Sequence, residues 1–166
     1  SSREALGRFR LEVLGQKIGM HTQDLGDNLS LALKFDMPLL VSVTDPSGKL
    51  AKFVVLRGLD GEAITIHDPV HGRKVVKRAA VEPLITSAMV VYFDHEGFGN
   101  IRRGEKSKRV ELLQGLLANE QCYKVWPPSG VFDGKTIDAL EAFQRRNQLE
   151  VTGYLDAYTT VLICAR

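Results

Sequence analysis

Three side chains able to ligate a metal fall within five residues: His67, Asp68 and His71. On a helix, two histidines four apart share one face and can grip zinc, as in metal-dependent peptide hydrolases. Pro69 and Gly72 disfavour a helix there, so the trio would have to act from a turn, with His21 or His95 as a further ligand. A solvated turn is the plainer reading, and no metal or other cofactor is expected. Serine chemistry has less to build on, because Ser42, Ser47 and Ser87 sit in no Gly-x-Ser-x-Gly elbow and have no identifiable base. No Gly-x-x-x-x-Gly-Lys-Ser/Thr loop occurs either, so nucleotide hydrolysis would belong to sequence outside this chain.

The only cysteines are Cys122 and Cys164, both in the last third of the chain. A disulfide between them is expected in an oxidising compartment, clamping the chain terminus; two buried free thiols are the alternative. Closing a loop of about forty residues would add roughly 3 to 4 kcal/mol in the chain-entropy model, less any strain.

The same region holds side chains suited to a sugar or a peptide. Aromatic rings stack on sugar faces, and peptide carboxylates need donors, which makes Tyr123, Trp126, Gln144, Arg145, Tyr154 and Tyr158 the candidate ligand-binding residues. Tyr123, Trp126 and Tyr158 would flank the Val125-Trp126-Pro127-Pro128-Ser129 loop. Phe132 and Phe143 read as core, and Gln144 could instead bond a glycine turn.

The elements that must position these residues follow from periodicity. Val110, Leu113 and Leu117 fall three and four apart, and so do Ile137, Leu140 and Phe143, each set marking one face of a helix. Asp133 can cap the second helix and Asp156 a short closing one, with Gly153 in a tight turn between them. Near the start, residues 4–18 and 28–34 read as two helices. The texture then changes to five short apolar runs: 38–43, 53–56, 63–66, 74–76 and 89–93. Asp45-Pro46-Ser47-Gly48, Asp60-Gly61 and Asp68-Pro69 through Gly72 are turn formers, so these strands are expected to form an antiparallel meander. The fold class is therefore α+β, followed by a small three-helix domain.

A glycine-bearing stretch over residues 94–105 suggests the boundary, dividing the chain into domains 1–100 and 101–166. Basic and acidic residues number 14 and 12 through Gly104 and 8 and 8 beyond it, so neither part is basic enough to suggest nucleic acid. Arg73, Lys74, Lys77 and Arg78, broken by Val75 and Val76, read as a strand edge with a solvated face; contact with an acidic polymer is the alternative. No stretch approaches the roughly 18 to 20 apolar residues of a membrane span, and no signal peptide opens the chain. It begins Ser1-Ser2 without a methionine, so it is expected to be cut from a longer protein whose other part holds an export signal or a membrane anchor.

Together, Val110, Leu113-Gln114, Leu117, Gly130, Phe132, Gly134, Thr136, Ala139, Phe143-Gln144, Leu149, Val151-Thr152-Gly153-Tyr154-Leu155-Asp156, Thr159 and Leu162 form an ordered set. Residues 108–163 resemble the peptidoglycan-binding repeat of bacterial cell-wall hydrolases and envelope proteins. That resemblance implies non-catalytic binding of stem peptide or glycan in a shallow groove between helices.

A second resemblance rests on residues 38–43, on Lys52-Phe53-Val54-Val55-Leu56-Arg57-Gly58 with Asp60-Gly61, and on Ile64-Thr65-Ile66-His67-Asp68-Pro69 with Gly72. They are similar to the core of the bacteriocin-processing cysteine peptidases, which have a papain-like fold. In that family a histidine precedes the Phe-Val-Val strand, an aspartate opens the Asp-Pro turn, and the nucleophilic cysteine lies near the domain's first long helix. Lys52 stands at the histidine position, Asp68 is retained, and no cysteine occurs before Cys122, so the resemblance implies an inactive domain.

A degenerate peptidase-like domain followed by a peptidoglycan-binding repeat resembles the periplasmic region of the general secretion pathway protein A family, the assembly ATPases of type II secretion. That resemblance implies a cytoplasmic ATPase and one inner-membrane helix upstream, an inner-membrane partner protein B, and anchoring to the cell wall while the secretin is inserted. Any homo-oligomer would form through regions outside this chain.

Overall fold

A computed structural model describes residues 20–26, 37–45, 47, 52–60 and 62–166. The helices expected at 4–18 and 28–34 lie outside the described residues. The chain divides into two compact units, Ser1–Phe93 and Asp94–Arg166.

The first unit is built on a six-stranded antiparallel sheet. Its strands are β1 (Met20–Gly26), β2 (Leu39–Val43), β3 (Lys52–Asp60), β4 (Ala63–Asp68), β5 (Gly72–Lys77) and β6 (Ile85–Phe93), in the order β1-β6-β2-β3-β4-β5. The run β2 to β5 is the expected meander. The last expected strand departs from it, because β6 pairs with β2 and not with β5. The link from β5 consists of a short helix α1 (Arg78–Val81) and a 3-10 turn at Glu82–Leu84, and Thr44 N donates to Leu84 O at 2.9 Å. β1 was not legible as a strand: of its polar sequence only Leu25 is buried, and it joins through backbone pairing with β6.

Alternation decides what the sheet covers. Val41, Val43, Val54, Leu56 and Ile64 point to one face and are buried, while Val81 of the crossover and Ile85 at the start of β6 are buried as well. Ala88, Met89 and Val90 are buried in succession, so β6 is covered on both faces at these positions. β5, by contrast, lies at the sheet edge and is exposed along its length apart from half-buried Val76.

The second unit packs α2 (Lys108–Asn119), α3 (Gly134–Arg146) and α4 (Ala157–Cys164) around Val110, Leu113, Leu117, Leu140, Phe143 and Leu162. Each large apolar side chain so buried contributes roughly 1.5 to 3 kcal/mol. Ser107, Asp133 and Asp156 cap the three helices, accepting from the N–H of Val110, Thr136 and Thr159. Residues read as linker belong to this fold: the Asp94 carboxylate accepts from Phe98 N at 2.8 Å and Gly99 N at 3.0 Å, and Phe98 and Ile101 are buried.

An internal repeat underlies this unit. Gly130-x-x-Asp133-x-x-Thr136 and Gly153-x-x-Asp156-x-x-Thr159 share one spacing, each follows a helix bearing a buried glutamine, and each glycine has φ near +68° (Gly130) or +67° (Gly153). The left-handed backbone explains the glycines.

Candidate functional site

In the sheet unit, the two positions singled out by the peptidase resemblance meet. Lys52 opens β3 and Asp68 ends β4, and Lys52 Nζ donates to Asp68 Oδ2 at 2.6 Å. Asp68 Oδ1 accepts from Val70 N at 2.9 Å and His71 N at 3.2 Å, and His71 Nδ1 lies 3.1 Å from Oδ2. The Lys52 ammonium, then these backbone and imidazole partners, hold the Asp68 carboxyl well below the usual carboxylate range against the opposing effect of burial. The ionised carboxylate is 8% exposed while Lys52 remains half in solvent. An ammonium committed to a carboxylate has no lone pair with which to take a proton from a nucleophile.

A cleft of about 470 Å³ opens beside this pair, walled by Val43, Val54, Ile66, Val76, Val81 and Leu84. The arrangement suits binding more than acid or base work.

His67 does not share this place. Successive strand residues face opposite sides of a sheet, so His67 is exposed on the far face with Arg57, Thr65 and Arg73, while Asp68 lines the cleft and His71 sits in the turn beyond. The pairing of His67 with His71 as metal ligands is therefore not formed. Among the described residues no group of three His, Cys, Asp or Glu side chains is placed to hold a metal ion.

In the helical unit, Gln144 is fully buried and its amide is consumed by the turn that follows α3. Its Oε1 accepts from Thr152 N and Gly153 N, both at 2.9 Å, and Nε2 lies 2.8 Å from Thr152 Oγ1, 2.9 Å from Tyr154 O and 2.9 Å from Thr159 Oγ1. Gln114 does the same in the earlier turn: Oε1 accepts from Gly130 N at 2.9 Å, and Nε2 reaches Val131 O at 2.9 Å and Thr136 Oγ1 at 2.8 Å. These glutamines position turns, and neither amide is open to a ligand.

The remaining candidates separate by exposure. Tyr123 is buried, with its hydroxyl lacking a hydrogen-bond partner among the described residues, so it is not the groove residue expected. Trp126 is 77% and Tyr154 57% exposed, whereas Tyr158 is half-buried. Arg145 is exposed, with Nη2 donating to Glu141 Oε2 at 2.7 Å. Of the two exposed rings, Tyr154 sits in the turn that Gln144 pins, and Trp126 lies in the loop four residues before the Gly130 that Gln114 holds.

The expected disulfide is absent, since Cys122 and Cys164 are both free thiols. Their sulfurs face different partners: Cys122 Sγ lies 3.4 Å from Glu120 O, and Cys164 Sγ lies 3.7 Å from Asp94 Oδ1. Burial pushes both thiols up, Cys164 to about 12 with further help from the Asp94 charge. Neither is poised as a thiolate nucleophile at neutral pH.

The class of the helical unit is set by sequence comparison: residues 106–162, about a third of the chain, match the family model described as "Putative peptidoglycan binding domain". Among solved structures, the chain is similar to a periplasmic domain of the EpsAB fusion protein of the Vibrio vulnificus type II secretion system, with a TM-score of 0.60 and 18% identity. That match covers 89% of this chain and 64% of the other, and at such identity the likeness is one of fold. A search of curated proteins by sequence found no match. The family match supports the resemblance of the helical unit to the peptidoglycan-binding repeat, and the structural match supports the α+β fold of the chain.

Proposed function

We propose that this chain is the periplasmic, wall-binding region of a type II secretion assembly protein, and that it holds the complex to peptidoglycan while the secretin is inserted. The observation that carries this reading is the family match over residues 106–162, reinforced by the exposed rings of Trp126 and Tyr154. The sheet unit is read as a cysteine-peptidase-like domain that has lost its chemistry: Lys52 occupies the position of the base, and both cysteines lie in the other unit. In this reading a cytoplasmic ATPase and an inner-membrane helix precede the chain, and the inner-membrane partner protein B joins it. No helix among the described residues is long and apolar enough to cross a membrane.

Co-sedimentation of the chain with purified sacculi tests the proposal. Retention is expected, with release on digestion of the sacculi and weakened retention for Trp126→Ala combined with Tyr154→Ala. No retention, or retention indifferent to both substitutions, would remove the support for wall binding. Incubation with muropeptides, with and without added zinc, is expected to yield no new product. Appearance of a cleaved stem peptide would overturn the non-catalytic reading.

A further inference from the structure

The outer face of the sheet, opposite the cleft, carries cations that no acid neutralises. Register places Arg57 beside Thr65 and Thr65 beside Val75, with His67 beside Arg73 and Ala63 beside Lys77. Arg57, Thr65, His67 and Arg73 border an open concavity of about 340 Å³. Elsewhere Lys52, Arg78, Arg109 and Arg145 are each bonded to a carboxylate. Arg57, Arg73 and Lys77 make no ion pair or side-chain hydrogen bond among the described residues.

These cations lie along an open edge. β5 pairs with β4 on one side, and no described strand lies on the other. Arg78 N donates to Glu62 O at 2.7 Å, which extends the β4–β5 ladder by one pair. Antiparallel ladders alternate bonded and non-bonded pairs, so the backbone N–H and C=O of Arg73, Val75 and Lys77 point away from β4. The same residues turn their side chains to the outer face, where Val75 is 63% exposed between the two cations.

We infer that β5 is the docking edge for an extended acidic segment of a partner protein, which adds a strand to the sheet, sets carboxylates against Arg73 and Lys77, and lays an apolar side chain beside Val75. Strand addition draws affinity from main-chain hydrogen bonds and selectivity from alternate side chains, and both are present here. Charge decides between occupants. A second copy pairing through β5 in antiparallel fashion about Val75 would place Arg73 against Lys77, which like charges oppose. An anionic polymer without amides would leave the outward backbone groups unpaired. The inference concerns the sheet unit alone and stands apart from wall binding.

The test uses the whole chain and a synthetic probe, the acetylated and amidated peptide Thr-Glu-Thr-Val-Thr-Glu-Thr. Binding is followed by calorimetry and by amide NMR shifts. Saturable binding is expected, weakening with salt, with the largest shifts at the amides of Arg73, Val75 and Lys77. N-methylation of alternate peptide amides should abolish it. The double variant Arg73→Glu, Lys77→Glu should lose the acidic peptide and gain its lysine counterpart, Thr-Lys-Thr-Val-Thr-Lys-Thr; that exchange of partners would not follow from misfolding. Absence of binding, equal binding of the N-methylated peptide, or failure of the charge-swapped pair to bind would each overturn the inference.

Discussion

The two units solve the problem of a buried polar group in opposite ways. In the sheet unit the polar centre is charged: Asp68 is kept ionised by Lys52 and by the N–H groups of its own turn, at the lip of an open cleft. In the helical unit it is neutral and sealed, with Gln114 and Gln144 each bonding a glycine turn from fully buried positions. A carboxylate needs solvent or a counter-ion nearby, so it stays at an edge where it can be approached. An amide supplies donor and acceptor together and can be enclosed, fixing a loop whose other side chains are left free. The first design keeps a carboxylate ionised where it can be approached; the second fixes the backbone of a turn and leaves the Tyr154 ring outward.

The strongest way to break this comparison is to remove a buried amide. Gln144→Leu keeps most of the volume but orphans the N–H of Thr152 and Gly153; Tyr154 O keeps the Thr152 hydroxyl at 3.4 Å. At roughly 1 to 3 kcal/mol for each buried unsatisfied group, the helical unit should lose about 2 to 6 kcal/mol. Gln114→Leu orphans one turn N–H, that of Gly130, and should cost about 1 to 3 kcal/mol by the same reckoning. Urea unfolding followed by far-ultraviolet circular dichroism at the helical minimum measures both. An effect of Gln114→Leu equal to or above that of Gln144→Leu would show that the number of pinned N–H groups is not what matters.

Next in size are the glycines those amides hold. Both adopt a left-handed backbone that costs an L-residue about 1 to 2 kcal/mol. They differ in space: a Cβ at Gly153 would lie 2.9 Å from Ile137 Cγ2, whereas at Gly130 its nearest neighbour is Ser107 O at 3.4 Å. Gly153→Ala is therefore expected to lose about 2 to 3 kcal/mol and Gly130→Ala about 1 to 2 kcal/mol, read from the same unfolding curves. Equal losses would mean that Ile137 moves aside freely.

What the sequence made legible follows the same division between local and tertiary causes. The caps Asp133 and Asp156, the apolar stripes of α2 and α3 and the turns around Asp68 rest on neighbours within a few residues, and all are found. β1 has no local signature, because a polar edge strand is made by the backbone of β6, far along the chain. The path of β6 to the far side of β2 was hidden likewise, since apolar content marks a strand but not its neighbour. At the site, Tyr123 and Trp126 are three residues apart and chemically alike, yet one is buried and the other exposed. The thiols show the same limit: spacing allowed a bridge, but Cys164 faces Asp94 and Cys122 faces the chain at Glu120. The structural glutamines did have a signal, the repeated Gly-x-x-Asp-x-x-Thr spacing after each one, which marks two copies of one helix and turn.

Acid sharpens the contrast between charged and neutral centres. In the helical unit Glu105 takes Arg109 Nε at 2.6 Å and Nη2 at 2.8 Å, and accepts from Ser107 Oγ at 2.6 Å; Arg109 above all holds its carboxyl down to about 2. A carboxyl depressed by folding stabilises the protein fully above its ordinary value of 4.5, and that contribution is lost as pH falls toward 2. Asp68 obeys the same rule: its contribution is full above its ordinary 3.8 and is lost as pH falls below it. Carboxyl carbon shifts followed by NMR from pH 7 downward should show both Glu105 and Asp68 still ionised below the ordinary carboxylate range. Lys52→Met should then raise the Asp68 value, because Lys52 is the largest cause of its depression. An unmoved Asp68 would place the stabilisation in the turn amides alone.

The smallest expected effect on stability separates frame from contact. Trp126 is mostly in solvent, so Trp126→Ala removes little packing and should change unfolding by less than about 0.5 kcal/mol. It lies in the loop between α2 and α3, four residues before the glycine that Gln114 holds, and in the proposed function its ring is a ligand contact. Retention on sacculi should therefore fall for Trp126→Ala with the unfolding curve unchanged, while Gln144→Leu should lower retention only under conditions where the unfolding curve shows the helical unit loosening. Should Trp126→Ala instead destabilise the unit as much as a buried glutamine does, the ring would belong to the frame, and the exposed surface would have to be sought around Tyr154 alone.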